Sequence, residues 1–529
     1  MSKFKTRPRQ QRRRQRRLKI TLKKLAESKR RITERNKHKV NDNSAPMMTT
    51  RTVRFEIADR TRATCYGGLG LIHPLAHQSG LVNAIDRRLT LLKNHFPYHE
   101  SDHVLNIAYN ALTDGRCLQD LELKRNDEAY LNLIGAGRIP DPTTAGDFCR
   151  RFRTKADIDA LHDAIDEARA TVWARQPQEF FERAIVDMDG HTVETAGECK
   201  DGMDINHENR WGYHPLLISL ANTKEPLRIM NRPGNRPSHE GAAAYCNDVI
   251  AMLRRNGFRS VLLRGDTDFS QTQHLDRWNR DGVLFHFGYD ATKNLRKMAD
   301  DLVDSDWTKL QRPIGIRLTE KRRLKPDRVK EQIVVAREYD NIKLLSEDIA
   351  EFEYKPIACG QAYRMIVIRK NLSVEKGDKV LFPDIRYFFY ITNDKVASAQ
   401  EIVFSCNDRC DQENLIEQLS NGPRAFQAPV DTLMSNWGYM LMASVAWTLK
   451  AWLALWLPDS AGSQGDSHEN GKRASEKTRL LKMEFRTFVN SLMRVPCQVV
   501  RTGRRIDCRL MAWNDSQPTF WNLVEALML

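Results

Sequence analysis

Two aspartates stand close together at the end of an apolar run, in the stretch Arg183–Thr192, RAIVDMDGHT. The run 184–186 predicts a buried strand, and Asp187 and Asp189 would then lie on the same face of that strand. Two carboxylates this close repel each other, so a cation or a hydrogen-bond donor must compensate their charge. The chemistry that this pattern offers is metal binding, or nucleophilic and acid–base catalysis by one of the two acids.

Two further acidic positions fall at comparable places in the chain. The apolar run of SVLLRGDTDFS, residues 260–270, ends in Asp266 and Asp268, and Glu413 lies in the first turn of a helix predicted to begin near Asp411. Acids at the strand ends of a mixed α/β sheet lie on one edge, where they can converge. Carboxylates suit Mg²⁺, and two such ions about 3.5–4 Å apart can activate a water or a 3′-hydroxyl for phosphodiester chemistry. Each acid taken singly is more typical of a turn or a helix cap, and metal binding is favoured only by the acids together with a basic N-terminus and an α/β middle region.

The net charge of the chain is concentrated at its N-terminus. The whole sequence has 84 Lys and Arg against 68 Asp and Glu, whereas residues 1–40 contain 18 against two, which leaves 66 of each in the remainder. Such a block is typical of a disordered arm that binds nucleic acid, and a solubility tail or a targeting peptide is the alternative. It has no apolar core of the length that a signal peptide needs. The predicted DNA contacts in the arm are Arg12, Arg13, Arg14, Arg16 and Arg17.

Periodicity and composition divide the chain into six regions. Apolar residues at helical spacing dominate to about residue 175, buried strands begin near 180, and strands with charged turns follow from about 310. We therefore predict a basic arm at 1–45, a helical DNA-binding region at 46–175, an α/β core at 176–310, a β-rich insertion at 311–400, late core helices at 401–457, and a polar loop with a basic C-terminal region at 458–529. The polar loop, residues 457–477, is predicted to be mobile.

The most apolar stretch of the chain is Tyr439–Leu457, which is about long enough to cross a bilayer. Lys450 lies inside it and four aromatic residues are spread along it, so a buried helix of a large domain is favoured. The ten cysteines include no CxxC pair. We interpret them as free thiols of a protein in a reducing cytoplasm.

At the Glu413 helix the chain resembles insertion-sequence DDE transposases, specifically the insertion-sequence thirteen-eighty family, which is related to the insertion-sequence-four group. The wider group has a signature of Tyr, two residues, Arg, three residues, Glu, six residues and Lys. These positions fall on Cys406, Arg409, Glu413 and Ser420, so that Arg and Glu match whereas Tyr and Lys do not.

The strands that carry the other acids also resemble this family. LLRGDTDF is similar to the strand of the second catalytic acid and places Asp266 there, and IVDMDGHT is similar to the first and places Asp189 there. The C-terminal LLKMEFRTFVNSLMRVPCQVVRTGRRIDCRLMAW also resembles the family, so the likeness runs from about residue 60 to the end.

The resemblance implies an α/β, RNase H-like catalytic core that is interrupted by a β-rich insertion. The implied activity is cleavage of element ends and joining of the 3′-hydroxyl to target DNA, with two Mg²⁺ or Mn²⁺ ions. Asp189, Asp266 and Glu413 would be the catalytic metal ligands, with Asp187 as a candidate further ligand, and Arg409 would contact DNA or neutralise the acids. The implied partners are double-stranded DNA, both the terminal inverted repeats and the target, and a second copy of the chain on that DNA. The expected location is the bacterial cytoplasm at the nucleoid, without a membrane.

Two alternatives stay open from the residues alone. An apolar strand followed by Asp-x-Asp-Gly also resembles a haloacid-dehalogenase-like phosphatase, in which Asp187 would be the nucleophile and Asp189 the acid–base group, although His191 interrupts the motif. A DNA-binding descendant of a transposase without catalysis is the other. The replacement of the family Tyr and Lys by Cys406 and Ser420 bears on whether the chain is catalytic, because the family residues would contact DNA phosphate near the cut. In an active enzyme, Arg424 or Lys450 would have to substitute for them.

Overall fold

The fold is given by a computed structural model, which describes residues 8–37, 61–197, 200–206, 208–312, 340–376, 379–458, 467–502, 505–511 and 514–528. Most of the basic arm forms a helix, α1 (Pro8–Lys37). The prediction of a disordered arm is therefore wrong for these residues. Proline at the first helical position favours helix initiation, and Arg, Lys, Gln and Leu without a later Gly or Pro sustain the helix. Arg16 is exposed, whereas the side chains of the other four predicted arginines lie outside the described part.

A helical region follows the arm, in keeping with the periodicity of this stretch. Its elements are β1 (Ala63–Thr64), α2 (Leu69–Gln78), α3 (Leu81–Arg88), α4 (Glu100–Leu112), α5 (Leu121–Arg125), α6 (Glu128–Ile134), α7 (Pro142–Cys149) and α8 (Lys155–Trp173). Local sequence explains the starts of the last two helices. The Asp141 side chain accepts from the Thr144 N–H at the start of α7, and Thr154 and Asp157 form a capping box at the start of α8.

A large mixed sheet begins after these helices. The elements of this part are β2 (Arg183–Gly190), β3 (Val193–Glu194), β4 (Asp204–Ile205), β5 (Trp211–Tyr213), β6 (Leu216–Leu220), β7 (Glu225–Met230), α9 (Ala242–Arg255), β8 (Ser260–Gly265), α10 (Leu275–Arg280), β9 (Leu284–Tyr289), α11 (Lys293–Asp300) and β10 (Thr308–Lys309). Strands β3, β4 and β5 form a small sheet of their own. Three long strands complete the large sheet: β11 (Asp340–Tyr354), β12 (Tyr363–Lys376) and β13 (Lys379–Thr392).

The nine strands of the large sheet have the order β10-β11-β12-β13-β9-β8-β2-β6-β7. Strands β2, β8 and β9 are parallel to one another, whereas the pairs on either side of this group are antiparallel. Strand β2 is therefore an interior strand, third from the β7 edge, and its C-terminal end lies beside that of β8. The strands β11 to β13 fall in the predicted β-rich insertion. The runs 314–318 and 331–339, for which the sequence also predicts strands, lie outside the described residues.

Helices and a small sheet form the last part of the chain. The elements are α12 (Ala399–Asn407), α13 (Cys410–Asn421), α14 (Leu433–Leu455), α15 (Ser467–Lys482), α16 (Phe485–Phe488), β14 (Cys497–Thr502), β15 (Arg505–Leu510) and α17 (Gln517–Ala526). The polar stretch predicted as a mobile loop is helical from Ser467 onward, so that prediction is wrong for 467–477. Within the described part of the chain, no helix has both the length and the apolarity that crossing a membrane requires.

The apolar helix α14 lies in the centre of the protein, as the sequence favoured. Its residues 435–455 are all buried, and they pack against α4, α8 and β7. The fully buried Glu225 joins these elements, because its carboxylate accepts from Arg169 and Trp173 of α8 and from Trp452 of α14. A buried carboxylate requires such a complete set of donors. The helical region and the sheet therefore share one core.

Candidate active site

Parallel pairing of two strands brings the first two predicted acids together. In the register of β2 and β8, Asp187 lies opposite Arg264. Asp189 and Asp266 each follow two residues later, and so they stand level at the same edge of the sheet. The two residues lie at the C-terminal ends of parallel strands, where α/β folds carry their functional side chains.

Asp187 lies beneath this edge and is compensated by an arginine. Arg264 donates to both carboxylate oxygens, over 2.6 and 2.7 Å, and Asp187 is only 1% exposed. The Nη1 atom of Arg264 also donates to the Ser405 carbonyl of α12, over 2.9 Å. Both oxygens of Asp187 are thus engaged by a guanidinium, which does not fit the prediction of a metal ligand. The spacing of Asp187 and Asp189 required a group that compensates their charge, and for Asp187 that group is Arg264.

The third acid reaches the same edge through α13. Gln412 anchors this helix, because it accepts from Ser219 of β6 over 2.5 Å and donates to the Leu217 carbonyl over 3.1 Å. Arg409 immediately precedes the helix, and its guanidinium lies 3.1 Å from Asp189 and 3.6 Å from Glu413. Arg409 therefore bridges the first and third acids, as the neutralising role requires.

The acids at this edge stand in one another's electrostatic field. The pKa of Asp189 is raised to about 6, chiefly by burial; Asp266 and Glu413 contribute to the increase, whereas Arg409 and the Gly190 N–H oppose it. Burial likewise raises the pKa of Asp266, with Asp268 and Glu413 adding to the effect and Arg409 opposing it. We call Asp189, Asp266 and Glu413 the acidic edge. Among the described residues, Arg409 pairs with Asp189 and Glu413 and also lowers the pKa of Asp266, so three carboxylates face one guanidinium and the edge has an excess of negative charge.

This excess charge bears on whether the edge could hold metal ions. Among the described residues, no group of three or more His, Cys, Asp and Glu side chains is arranged as a ready-made metal site. The chemistry of the donors does fit, because the three acids supply the oxygen ligands that Mg²⁺ prefers. Burial and, to a smaller extent, repulsion from Asp266 and Glu413 raise the pKa of Asp189, and a divalent cation would relieve that repulsion. The residues that could hold ions are therefore Asp189, Asp266 and Glu413.

Two residues beside the acidic edge, Gly190 and His191, help to position it and were not predicted to do so from the sequence. His191 donates its N–H to the Pro215 carbonyl, and its ring lies 3.2 Å from the hydroxyl of Ser420 on α13. Since Ser420 occupies the position of the family Lys, this contact ties the first-acid strand to the third-acid helix there. Gly190 is required sterically, because a Cβ atom would stand 2.4 Å from the ring of His214. The interruption of the phosphatase motif by His191 was the only sequence signal.

The structure also places the candidates for the missing family contacts. Cys406, at the Tyr position, is buried in an apolar cluster with Ile402 and Val403 of α12. Lys450 is buried inside α14 and donates to the Leu481 carbonyl, so the suggestion that it contacts DNA is wrong. Arg424 follows α13 and is partly exposed, and its role stays a prediction.

Comparison with known proteins decides between the families that the motifs resemble. The model of the family described as Transposase DDE domain group 1 matches residues 46–529. The chain belongs to the DDE transposases. No curated protein matches this transposase. Among solved structures, it is similar to piggyBac transposase in a synaptic complex with hairpin DNA, with 10% identity and a TM-score of 0.38 over 82% of this chain and 84% of that chain.

Membership of this family sets aside the phosphatase alternative, and the structure supplies a physical reason. The phosphatase would need Asp187 as an accessible nucleophile, whereas in this transposase Asp187 is buried and bonded at both oxygens to Arg264. A carboxylate held in this way can neither approach a phosphorus atom nor leave its partner without exposing a buried charge.

Proposed function

We propose that this transposase cuts the ends of an insertion sequence and joins the freed 3′-hydroxyl to target DNA, with catalysis at the acidic edge. The observation that supports this most is the bridge of Arg409 between Asp189 and Glu413, with Asp266 in the same field. The residues come from β2, from the end of β8 and from α13. A mixed sheet that carries two acids and a late helix that carries the third is the arrangement expected of an RNase H-like core, interrupted here by β11 to β13.

In this proposal Asp189, Asp266 and Glu413 hold two Mg²⁺ or Mn²⁺ ions. The ions, when bound, activate the attacking oxygen and stabilise the leaving oxygen of the phosphodiester. The protein's own residues position the ligands. The Asp187–Arg264 pair fixes β2 against β8, and Gln412 fixes α13 against β6. Positions held by buried, fully bonded groups lose little conformational freedom when a substrate binds.

Arg409 has a role of its own in this scheme. It compensates Asp189 and Glu413 in the protein without ions, and its side chain is 17% exposed. Its guanidinium suits a DNA phosphate in charge and in geometry, and with divalent ions held by the acids it would be available to such a phosphate. Arg409 is thus proposed both to neutralise the acids and to contact DNA.

The remaining chain would bind DNA and assemble the complex. We propose that α1 supplies sequence-independent phosphate contacts, since it carries Arg12, Arg13, Arg14, Arg16 and Arg17, and that the helical region at 46–175 binds the terminal repeats. Two copies of the chain would hold the two element ends, in the cytoplasm at the bacterial nucleoid. Within the DDE transposases, we place the chain in the insertion-sequence thirteen-eighty family on its strand and helix motifs. A DNA-binding descendant without catalysis is the alternative.

A cleavage assay with labelled element-end DNA and Mn²⁺ tests the proposal, with DNA taken from the repeats that flank the gene. Alanine variants of Asp189, Asp266 and Glu413 should lose nicking while they still bind the DNA. Glu417→Ala is the matched control, because Glu417 is an exposed glutamate one turn further along α13 and should nick like the wild type. Nicking that survives all three changes contradicts the proposed site. Salt-sensitive binding without nicking by the wild type would support the non-catalytic alternative.

A further inference from the structure

The loop between β7 and α9 lies beside the acidic edge and has no role in the function described above. Its sequence is PGNRPSHEG, Pro233–Gly241, and we call it the 233–241 loop. At its middle, a Cβ atom on Gly190 would stand 3.1 Å from the Ser238 hydroxyl, so the loop touches the end of the first-acid strand. One residue later, the His239 carbonyl accepts from Gln271, which follows Asp266, over 3.1 Å. The loop therefore contacts the segments of both aspartates of the edge.

A buried arginine holds this loop from inside. The Nη1 atom of Arg232 donates to the carbonyls of Pro237, Ser238 and Glu240 over 3.0, 3.0 and 2.8 Å, and Nε donates to the His214 carbonyl over 2.9 Å. Only 5% of Arg232 is exposed, and its Nη2 atom has no hydrogen-bond partner among the described residues. A buried guanidinium whose bonds go to carbonyls is costly. The arrangement gives the loop one backbone conformation.

Further contacts fix the first half of the loop. A Cβ atom on Gly234 would stand 2.3 Å from the Asp204 carbonyl, so only glycine fits there. The Asn235 side chain donates to the Asp204 carboxylate over 2.6 Å, and Gly241 closes the loop with a φ of +76°. The backbone is thus braced along its length by Arg232, Asp204 and two glycines.

One cation of the braced loop remains open to solvent. The side chain of Arg236 is 51% exposed, and its contact is a 3.7 Å pair with Glu240, which is 46% exposed. An exposed pair of this kind contributes little and is screened by salt, so Arg236 can exchange it for another anion. The loop presents a positive charge on a rigid backbone beside an edge that repels phosphate.

We propose that Arg236 binds a backbone phosphate of the DNA strand that crosses the acidic edge, and that the 233–241 loop positions that strand. This inference rests on the proposed function, since it takes DNA as the substrate. A guanidinium binds phosphate through two parallel hydrogen bonds, and a preformed loop avoids the entropic cost of ordering a flexible one. Arg232 is a positioning residue, because it acts through the loop backbone and is itself buried.

The salt dependence of DNA binding tests this inference without catalysis. Binding of element-end and unrelated duplexes is measured in EDTA over a salt series for wild type, Arg236→Ala and Arg255→Ala. Arg255 is the matched control, since it is exposed at the C-terminal end of α9, which leads into the opposite end of β8. Arg236→Ala should weaken binding roughly tenfold at low salt and lower the slope of log K against log salt by about 1. Arg255→Ala should match the wild type.

Cleavage and joining rates at saturating DNA with Mn²⁺ then identify the strand. A lower rate of end cleavage in Arg236→Ala assigns the contact to the element end, and a lower rate of joining alone assigns it to the target. Equal salt slopes and equal rates for Arg236→Ala and Arg255→Ala would overturn the inference while wild-type nicking left the proposed function intact. If the wild type does not nick, the proposed function fails, and the salt slopes still decide whether Arg236 contacts DNA.

Discussion

The buried pair of Asp187 and Arg264 gives the sharpest test of how this site is built. We consider the change Asp187→Leu, which removes the carboxylate and leaves the guanidinium of Arg264 buried, with the Ser405 carbonyl as its remaining acceptor. Breaking a buried ion pair from one side typically costs about 3–5 kcal/mol. Since Arg264 is 4% exposed and cannot reach water without moving β8, we expect the free energy of unfolding to fall by that amount.

The partner change separates this structural role from metal binding. Replacement of both partners by apolar residues of similar volume is often neutral or stabilising, so Asp187→Leu with Arg264→Met should regain most of the lost stability. Loss of the bond to the Ser405 carbonyl limits the recovery by about 1 kcal/mol. If Asp187 only supports the strand, the double variant should also regain nicking. If Asp187 is a metal ligand, the double variant will be stable and inactive.

Urea unfolding followed by tryptophan fluorescence measures the stability of the four proteins in this double-mutant cycle. Nicking of element-end DNA with Mn²⁺ is measured on the same preparations. A single Asp187→Leu variant as stable as the wild type would refute the cost assigned to the unpaired guanidinium. A folded double variant that binds DNA and does not nick would refute the purely structural role of Asp187.

Two further predictions follow from buried ionisable groups. The pKa of Asp189 is raised to about 6, chiefly by burial, so the folded protein prefers the protonated acid and its free energy of unfolding falls as the pH rises from about 4 to 6. Asp189→Asn should therefore be more stable than the wild type at pH 7 in EDTA, by about 3 kcal/mol at most, and equally stable below pH 4. If Asp189→Asn and the wild type were equally stable both at pH 7 and below pH 4, the stabilising effect expected of the variant would be refuted. Burial lowers the pKa of Lys450 to about 7, so the free energy of unfolding of the wild type should rise with pH from about 7 to 10. Lys450→Met should remove that rise, measured by urea unfolding at pH 6, 8 and 10. If the rise persists in the variant, another group causes it.

The sequence by itself predicted much of the fold that positions the acidic edge. The continuous apolar runs of RAIVDMDGHT and SVLLRGDTDFS predicted the strands that lead to Asp189 and Asp266, and the helix that carries Glu413 was predicted to begin near Asp411. These predictions succeed because a buried strand or helix face is a local property of the chain. The basic arm shows where local reasoning fails, since charge predicted disorder whereas helix propensity at 8–37 produced α1.

The tertiary structure alone shows which partner each acid of RAIVDMDGHT faces. The sequence placed Asp187 and Asp189 on one face of a strand, because side chains alternate with a period of two, and the family resemblance favoured Asp189 as the catalytic acid. It did not show which residues compensate the two charges, because those residues lie far along the chain. Arg264 meets Asp187 through the parallel register of β2 and β8, and Arg409 meets Asp189 through the packing of α13. The charge that each carboxylate faces depends on long-range pairing, which no local pattern encodes.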